Sequence, residues 1–326
     1  LYARLEDLPR QKQQESLKKF RDQAFLSRRL ATIHTDAPLA LAPEALRVQD
    51  PDYPALAGLF RALEFRQLQQ ALPQSGERRA KDYRPILVAA ELAELVGRLR
   101  SAGIFALDTE TTSPDPMRAQ LVGLSFSTEA DRAVYIPCGH RYLGAPEQLD
   151  RAFVLEQLRP VLEDPQLRKV GQNVKYDWMV LARHGVRLQG VAFDTMLASY
   201  LLDPSKRAHN LDQIALDFLD HKTTRFEELV GGRKGAATFA EVALKDAVPY
   251  ACEDADVTLL AYERLVRRLE EVGLLPLLET VEMPLLPVLL RMEMRGVAVD
   301  IERLNELSKA LEHRLEALES GIYGLA

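Results

Sequence analysis

The sequence runs four apolar residues, Ile104-Phe105-Ala106-Leu107, directly into Asp108-Thr109-Glu110. Ile and Phe favour extended backbone, and so short an apolar run predicts a buried strand. Side chains alternate across a strand, so Asp108 and Glu110 share one face, about 7 Å apart along the backbone. Two carboxylates on one face at the end of a buried strand repel each other. A divalent cation relieves that conflict, and a hard oxygen set suits Mg2+ or Mn2+. The plain alternative is a strand end entering a solvated loop, and an isolated Asp-x-Glu does not decide between the two.

The surrounding pattern places this strand in an α/β layer architecture. Ile86-Leu87-Val88 predicts a strand and Glu91 to Leu99 a helix. Thr111 to Pro116 is a turn by composition. Leu121 to Ser127 and Ala133 to Pro137 read as two more strands, and the short links predict an antiparallel meander. Helical spacing follows at 150–162, 174–184, 195–202, 210–219 and across most of 241–272. Strands first and helices later fit a mixed sheet flanked by helices.

A chain of 326 residues has room for two or three domains. No run approaches the roughly 18 apolar residues that span a bilayer. Cys138 and Cys252 lie far apart and form no metal-spaced pair, which fits a reducing compartment. The net charge of −6 argues against a whole-surface polyanion binder. It leaves room for a metal-dependent nuclease, whose own site must be acidic. Residues 1–35 carry eight Lys or Arg against four Asp or Glu, and Leu17, Phe20, Ala24, Leu26 and Leu30 recur at helical spacing, so the charge excess marks either a solvated helix face or a phosphate-facing one. A second helical pattern runs over 54–72, and the polar stretch 74–85 is the best linker. The chain opens Leu1-Tyr2 without Met and closes soon after an amphipathic helix, so both ends are expected to continue into a longer chain.

Three later stretches bear on the Asp-x-Glu. In Lys169 to Trp178 a short strand and Gly171 lead into a helix with Asp177 in its first turn, where the helix dipole alone could explain an acid. In Tyr250-Ala251-Cys252-Glu253-Asp254-Ala255-Asp256, Tyr250 and Asp254 share one helix face, whereas Asp256 points elsewhere. Asp194, before Thr195-Met196-Leu197, reads as a helix cap with no chemistry.

Each piece is weak alone, but their order is specific. Asp-x-Glu on a strand, Asp early on a helix and Tyr-x-x-x-Asp on a late helix resemble the four-acid proofreading exonucleases, in the branch with Tyr as fifth residue. Residues 86–272 look like the 3′→5′ exonuclease domain of bacterial, family A DNA polymerases. The phrases carrying this are Asp108-Thr109-Glu110-Thr111, Val170-Gly171-Gln172-Asn173, Lys175-Tyr176-Asp177, Phe193 to Leu197 and Tyr250 to Leu259. Leu26 to Leu39 is similar to the end of a preceding 5′-nuclease domain, and Glu282 to Asp300 to the start of the polymerase domain leading into the thumb. The organisation so implied is 1–73 the helical end of a 5′ nuclease, 74–85 a linker, 86–272 the exonuclease and 273–326 the opening of the polymerase.

The resemblance implies a ribonuclease H-like exonuclease fold and two divalent cations, Mg2+ or Mn2+. Asp108 would bridge them, Glu110 and Asp254 would complete the first site, and Asp177 would support the second, partly through water. Tyr250 and Glu110 would hydrogen-bond the attacking water; a phenol with pKa near 10 is a poor base, so Tyr250 orients. The substrate implied is a frayed single-stranded 3′ end of primer-template DNA, the product a deoxynucleoside monophosphate. Gln172, Asn173 and Tyr176 would line the path and Phe226 would stack on a base, ordinary core being its other reading. Pro114 departs from the family, which commonly has a wedging Leu there, and His209 receives no role. Further implications are a monomer without membrane contact in the bacterial cytoplasm near the nucleoid, joined in one chain to polymerase and 5′-nuclease domains whose active sites lie outside these residues. The rivals are a ribonuclease acting on RNA 3′ ends, which the carboxylates alone do not exclude, and a silent exonuclease-like spacer, disfavoured because all five site residues are present.

Overall fold

In the computed structural model, the structure describes residues 2–36, 38, 46–48, 50–63, 65–72, 81–229 and 238–325. The chain divides into two compact units, Leu1–Asp52 and Tyr53–Ala326. In the first, a short helical turn at Tyr2–Asp7 precedes α1 (Gln11–Lys19) and α2 (Arg21–Ala31). Tyr2 stacks on Phe25 with ring centroids 5.1 Å apart.

The second unit begins with α3 (Tyr53–Ala62) and α4 (Arg66–Ala71), so the helical pattern over 54–72 is two helices. Its sheet is built from β1 (Asp82–Pro85), β2 (Ile104–Thr111), β3 (Leu121–Glu129), β4 (Arg132–Pro137), β5 (Arg168–Gly171) and β6 (Val191–Asp194). Of the expected linker 74–85, residues 74–80 lie outside the described residues, and Asp82–Pro85 is an edge strand. The strand expected at 86–88 therefore lies four residues earlier. Pro85 is tolerated at a sheet edge, and Ile86 continues the contact by donating its N–H to the Tyr135 carbonyl.

The strand order is β1-β4-β3-β2-β5-β6. β2, β3 and β4 form the expected antiparallel meander, while β1 pairs β4 in parallel and β5 and β6 extend β2 in parallel. The helices are α5 (Ala89–Ala102), α6 (Arg151–Leu162), α7 (Val174–Arg183), α8 (Thr195–Leu202), α9 (Leu211–Ile214), α10 (Phe226–Leu229), α11 (Leu244–Glu271), α12 (Leu275–Leu277), α13 (Met283–Arg295) and α14 (Ile301–Leu325).

Alternation along β2 divides the core. Phe105 and Leu107 pack with Leu92, Leu95 and Leu99 of α5, Leu158 of α6 and Val180 of α7. On the opposite face, Val122 and Tyr135 pack with Val248, Ala251 and Cys252 of α11. Ala106, Asp108 and Glu110 point to that second face by the strand period. The long helix α11 thus crosses the sheet directly above the acids. No single helix among the described residues is long and apolar enough to cross a membrane. In α14, Leu304, Leu307, Leu311, Leu315 and Leu318 form an exposed stripe.

Candidate active site

The central strand β2 fixes the first two acids. Phe105, Ala106 and Leu107 are fully buried, so the strand cannot slip without exposing its core set. Asp108 pairs in register with Ser125 and Glu110 with Gly123, just before the register shifts at Glu110/Thr111. Tyr250 and Asp254 lie one turn apart on α11. Carboxylate oxygens of Asp108, Glu110 and Asp254 all lie within 4.8 Å of one another, a spacing that could hold a metal ion. Glu110 Oε1 is buried and has no hydrogen-bond partner among the described residues. An all-oxygen set with an unsatisfied buried carboxylate fits a hard divalent cation.

Asp177 reaches the same strand end from the other side of the sheet. It sits in the first turn of α7, is 2 % exposed, and accepts from Thr109 N–H at 3.1 Å and the Thr109 hydroxyl at 2.5 Å. Thr109 faces away from Asp108 and Glu110, so Asp177 stands outside their 4.8 Å group while remaining within electrostatic reach of Asp108. The start of α7 is held by Asp194. Its buried carboxylate accepts backbone N–H groups from Asn173 and Val174 as well as from Met196 and Leu197 of α8. The expected cap is therefore a double one, tying two helix starts together.

Burial dominates the electrostatics. It pushes the Asp108 carboxyl up to about 6, although the Thr109 N–H pulls the other way. Burial first, then the neighbouring acids, raise Glu110, Asp177 and Asp254 well above the usual carboxylate range. Burial and the Asp254 charge raise the Tyr250 phenol far above its ordinary value. A cation placed among these acids would relieve the cost of ionising them together.

The residues expected along a strand-binding path are each held by local contacts. Asn173 adopts a left-handed conformation (φ 54°) immediately before α7. The Gln172 amide donates to the His209 carbonyl and accepts from the Thr195 hydroxyl. The Tyr176 hydroxyl bonds Thr111 and the Ser113 carbonyl, which pins the turn leading to Pro114. Phe226 is half-buried and stacks on Phe239, which packs against Tyr250. His209 bonds Ser199.

Two interactions escaped the sequence reading. Thr109 carried no signal, because a Thr on a strand is ordinary. Glu253 sits beside Asp254 but turns to another face of α11, where it accepts from His221 Nε2 and Thr224 N–H, both at 2.8 Å, and from Lys81 Nζ at 3.4 Å. Burial raises this carboxyl, yet the three donors outweigh it and leave it at about 2. Asp256 indeed points elsewhere: it accepts from the Tyr83 hydroxyl at 2.7 Å and the Asp131 N–H at 2.9 Å.

A family model described as 3'-5' exonuclease matches residues 83–270. The chain is 43% identical over 325 residues to DNA polymerase I of Pseudomonas aeruginosa, covering 95% of this chain and 36% of that protein. It spans between about a fifth and two fifths of the length of the curated relatives it matches. Among solved structures, the POL domain of Pol1 from M. smegmatis in complex with DNA primer-template and dNTP overlays with TM-score 0.57 at 24% identity, over 72% of this chain and 36% of that one. A nuclease solved in its apo form overlays with TM-score 0.51 at 21% identity, over 68% of this chain and 98% of that one. These overlays show the fold, a mixed sheet flanked by helices of the ribonuclease H-like exonuclease kind.

Proposed function

The chain belongs to the 3'-5' exonuclease family of family A DNA polymerases, and from that premise we propose that it hydrolyses the 3′-terminal phosphodiester of single-stranded or frayed DNA. The product is a deoxynucleoside monophosphate and a strand shortened by one. The observation that carries this reading is the meeting of Asp108, Glu110 and Asp254 oxygens within 4.8 Å, with Glu110 Oε1 unpaired among the described residues.

In this reading Asp108, Glu110 and Asp254 would hold one divalent cation, Mg2+ or Mn2+, and Asp177 would help Asp108 to hold a second. The pair would supply an activated water and neutralise charge on the leaving oxygen. Glu110 accepts a hydrogen bond from the attacking water. Tyr250 stays protonated, because burial and Asp254 hold its phenol high, and it orients that water instead of deprotonating it. Phe226 offers a ring to the terminal bases, and Gln172, Asn173 and Tyr176 line the strand's path. Pro114 takes the wedge position on a turn held by Tyr176.

The proposed organisation is the end of a 5′ nuclease over 1–73, the exonuclease over 86–272 and the opening of a polymerase domain from 273, acting as a monomer beside DNA in the bacterial cytoplasm. A gel assay on 5′-labelled single-stranded DNA and RNA of one sequence tests the activity. With Mg2+, DNA should shorten from its 3′ end in single-nucleotide steps, and EDTA should stop it. Faster cutting of RNA would contradict the DNA reading, and no cutting of either would contradict the catalytic one.

A further inference from the structure

The site is acidic and its substrate is a polyanion. Asp108, Glu110, Asp177 and Asp254 together can carry four negative charges, which two divalent cations would only balance. The phosphates upstream of the cut bond then need a cation supplied by the protein.

A cleft of about 590 Å³ is lined by Asn210, Asp212, Gln213, Lys222, Thr223 and Arg225, among others. Two anchors fix its position relative to the catalytic helix. Thr224 donates its N–H to Glu253, the residue preceding Asp254, at 2.8 Å. Phe226 stacks on Phe239 at 6.2 Å, and Phe239 packs on Tyr250 at 5.7 Å between ring centroids. Arg225 lies between these two anchored residues, so the segment carrying it is strapped against the Tyr250–Asp254 turn of α11. The adjacent acid Asp212 is also close enough to bear on both Tyr250 and Asp254.

Arg225 is aimed without being used up. Asp212 accepts the Thr223 hydroxyl at 2.5 Å, and the Arg225 Nε lies 3.7 Å from its other oxygen. That distance is an ion pair too long for a hydrogen bond. The Arg225 side chain is 50 % exposed. Its guanidinium makes no hydrogen bond with another described residue, so its planar fork remains open to an anion. A loosely paired surface arginine contributes little to stability, so replacing Arg225 should leave the fold intact.

We propose that Arg225, oriented by Asp212 and Thr223, binds an internucleotide phosphate of the single strand upstream of the bond being cut. The assignment rests on the exonuclease reading above and adds to it a substrate-binding residue. Arg225 would hold the strand so that its 3′ end enters the acidic centre, acting on binding and not on the chemical step.

The test separates the contact from the cutting. Binding of a fluorescent single-stranded oligonucleotide to the 326-residue chain is followed by anisotropy in EDTA at several salt concentrations. Arg225→Ala should weaken binding about tenfold and lower the slope of log affinity against log salt by about 0.7. Arg225→Lys should keep that slope and recover part of the affinity. Replacing the charged phosphates one at a time by neutral methylphosphonate should penalise the wild type at one upstream position and leave Arg225→Ala insensitive there. In Mg2+ the same variant should raise KM about tenfold with kcat within about twofold. Equal binding and equal salt slopes for wild type and Arg225→Ala would overturn the proposal, as would a loss confined to kcat. A wild type that binds DNA but does not cut it would instead overturn the exonuclease reading, and the binding comparison would still decide Arg225.

Discussion

Thr109 donates both its backbone N–H and its hydroxyl to one oxygen of Asp177, 68 positions further along the chain. The residue between Asp108 and Glu110 faces away from them, and through it the opposite side of the sheet delivers a fourth acid to the same strand end. Thr109→Val keeps the shape and removes the hydroxyl, leaving a buried carboxylate with one donor fewer. The expected cost is about 1–3 kcal/mol in stability. We expect kcat on single-stranded DNA to fall at least tenfold, by misplacing Asp177, and Thr109→Ser to keep most of it. Wild-type kcat in the Val variant would show that the pair is structural only.

The acids should make the metal-free chain more stable in mild acid. Asp108 has its folded pKa raised to about 6 from 3.8. Its contribution is therefore fully present below about 3.8 and lost as pH rises through about 6. Glu253 runs the other way: held at about 2, it contributes above about 4.5 and is lost only as pH falls below that. Between pH 4.5 and 7.5 the Asp108 effect is thus free of that opposition. Asp108→Asn should raise the metal-free Tm at pH 7.5 by a few degrees, on the order of 1–3 kcal/mol. Mn2+ should raise the wild-type Tm more at pH 7.5 than at pH 5.5. Thermal melts in EDTA and in Mn2+ at the two pH values check both.

Much of this arrangement was legible in the sequence, and the misses have physical causes. The meander, α7, α8 and α11 follow from apolar periodicity, whereas the meeting of Asp108, Glu110 and Asp254 was legible only through the family resemblance that their order carries. The edge strand Asp82–Pro85 was missed because an exposed edge with Arg84 and Pro85 lacks an alternating apolar pattern. The side of the sheet from which Asp177 arrives was not legible either. It depends on which strand β5 pairs with, a non-local fact that no window of sequence contains. Glu253 was hidden inside Cys252-Glu253-Asp254-Ala255-Asp256, where adjacent acids take different helix faces and different partners.

Tyr250→Phe should separate orientation from binding. Only the hydroxyl is lost, and the ring keeps its place against Phe239. We expect kcat to drop about ten- to a hundredfold with KM within about threefold. A matching rise in KM would place Tyr250 on the strand rather than on the water.

Gly123 lies opposite Glu110 in the β2–β3 register, where a Cβ would fall 2.2 Å from the Tyr135 hydroxyl oxygen. That hydroxyl is buried and bonded to His140 at 2.8 Å. Gly123→Ala should therefore cost about 1–3 kcal/mol by overpacking, read as a lower denaturation midpoint. An unchanged midpoint would mean that Tyr135 moves freely.

The central claim is that acids distant in the chain meet to hold divalent cations, and anomalous diffraction from crystals soaked in Mn2+ tests it directly. The expected result is a manganese peak bounded by Asp108, Glu110 and Asp254. An open pocket with all three carboxylates in place and no manganese between them would contradict it.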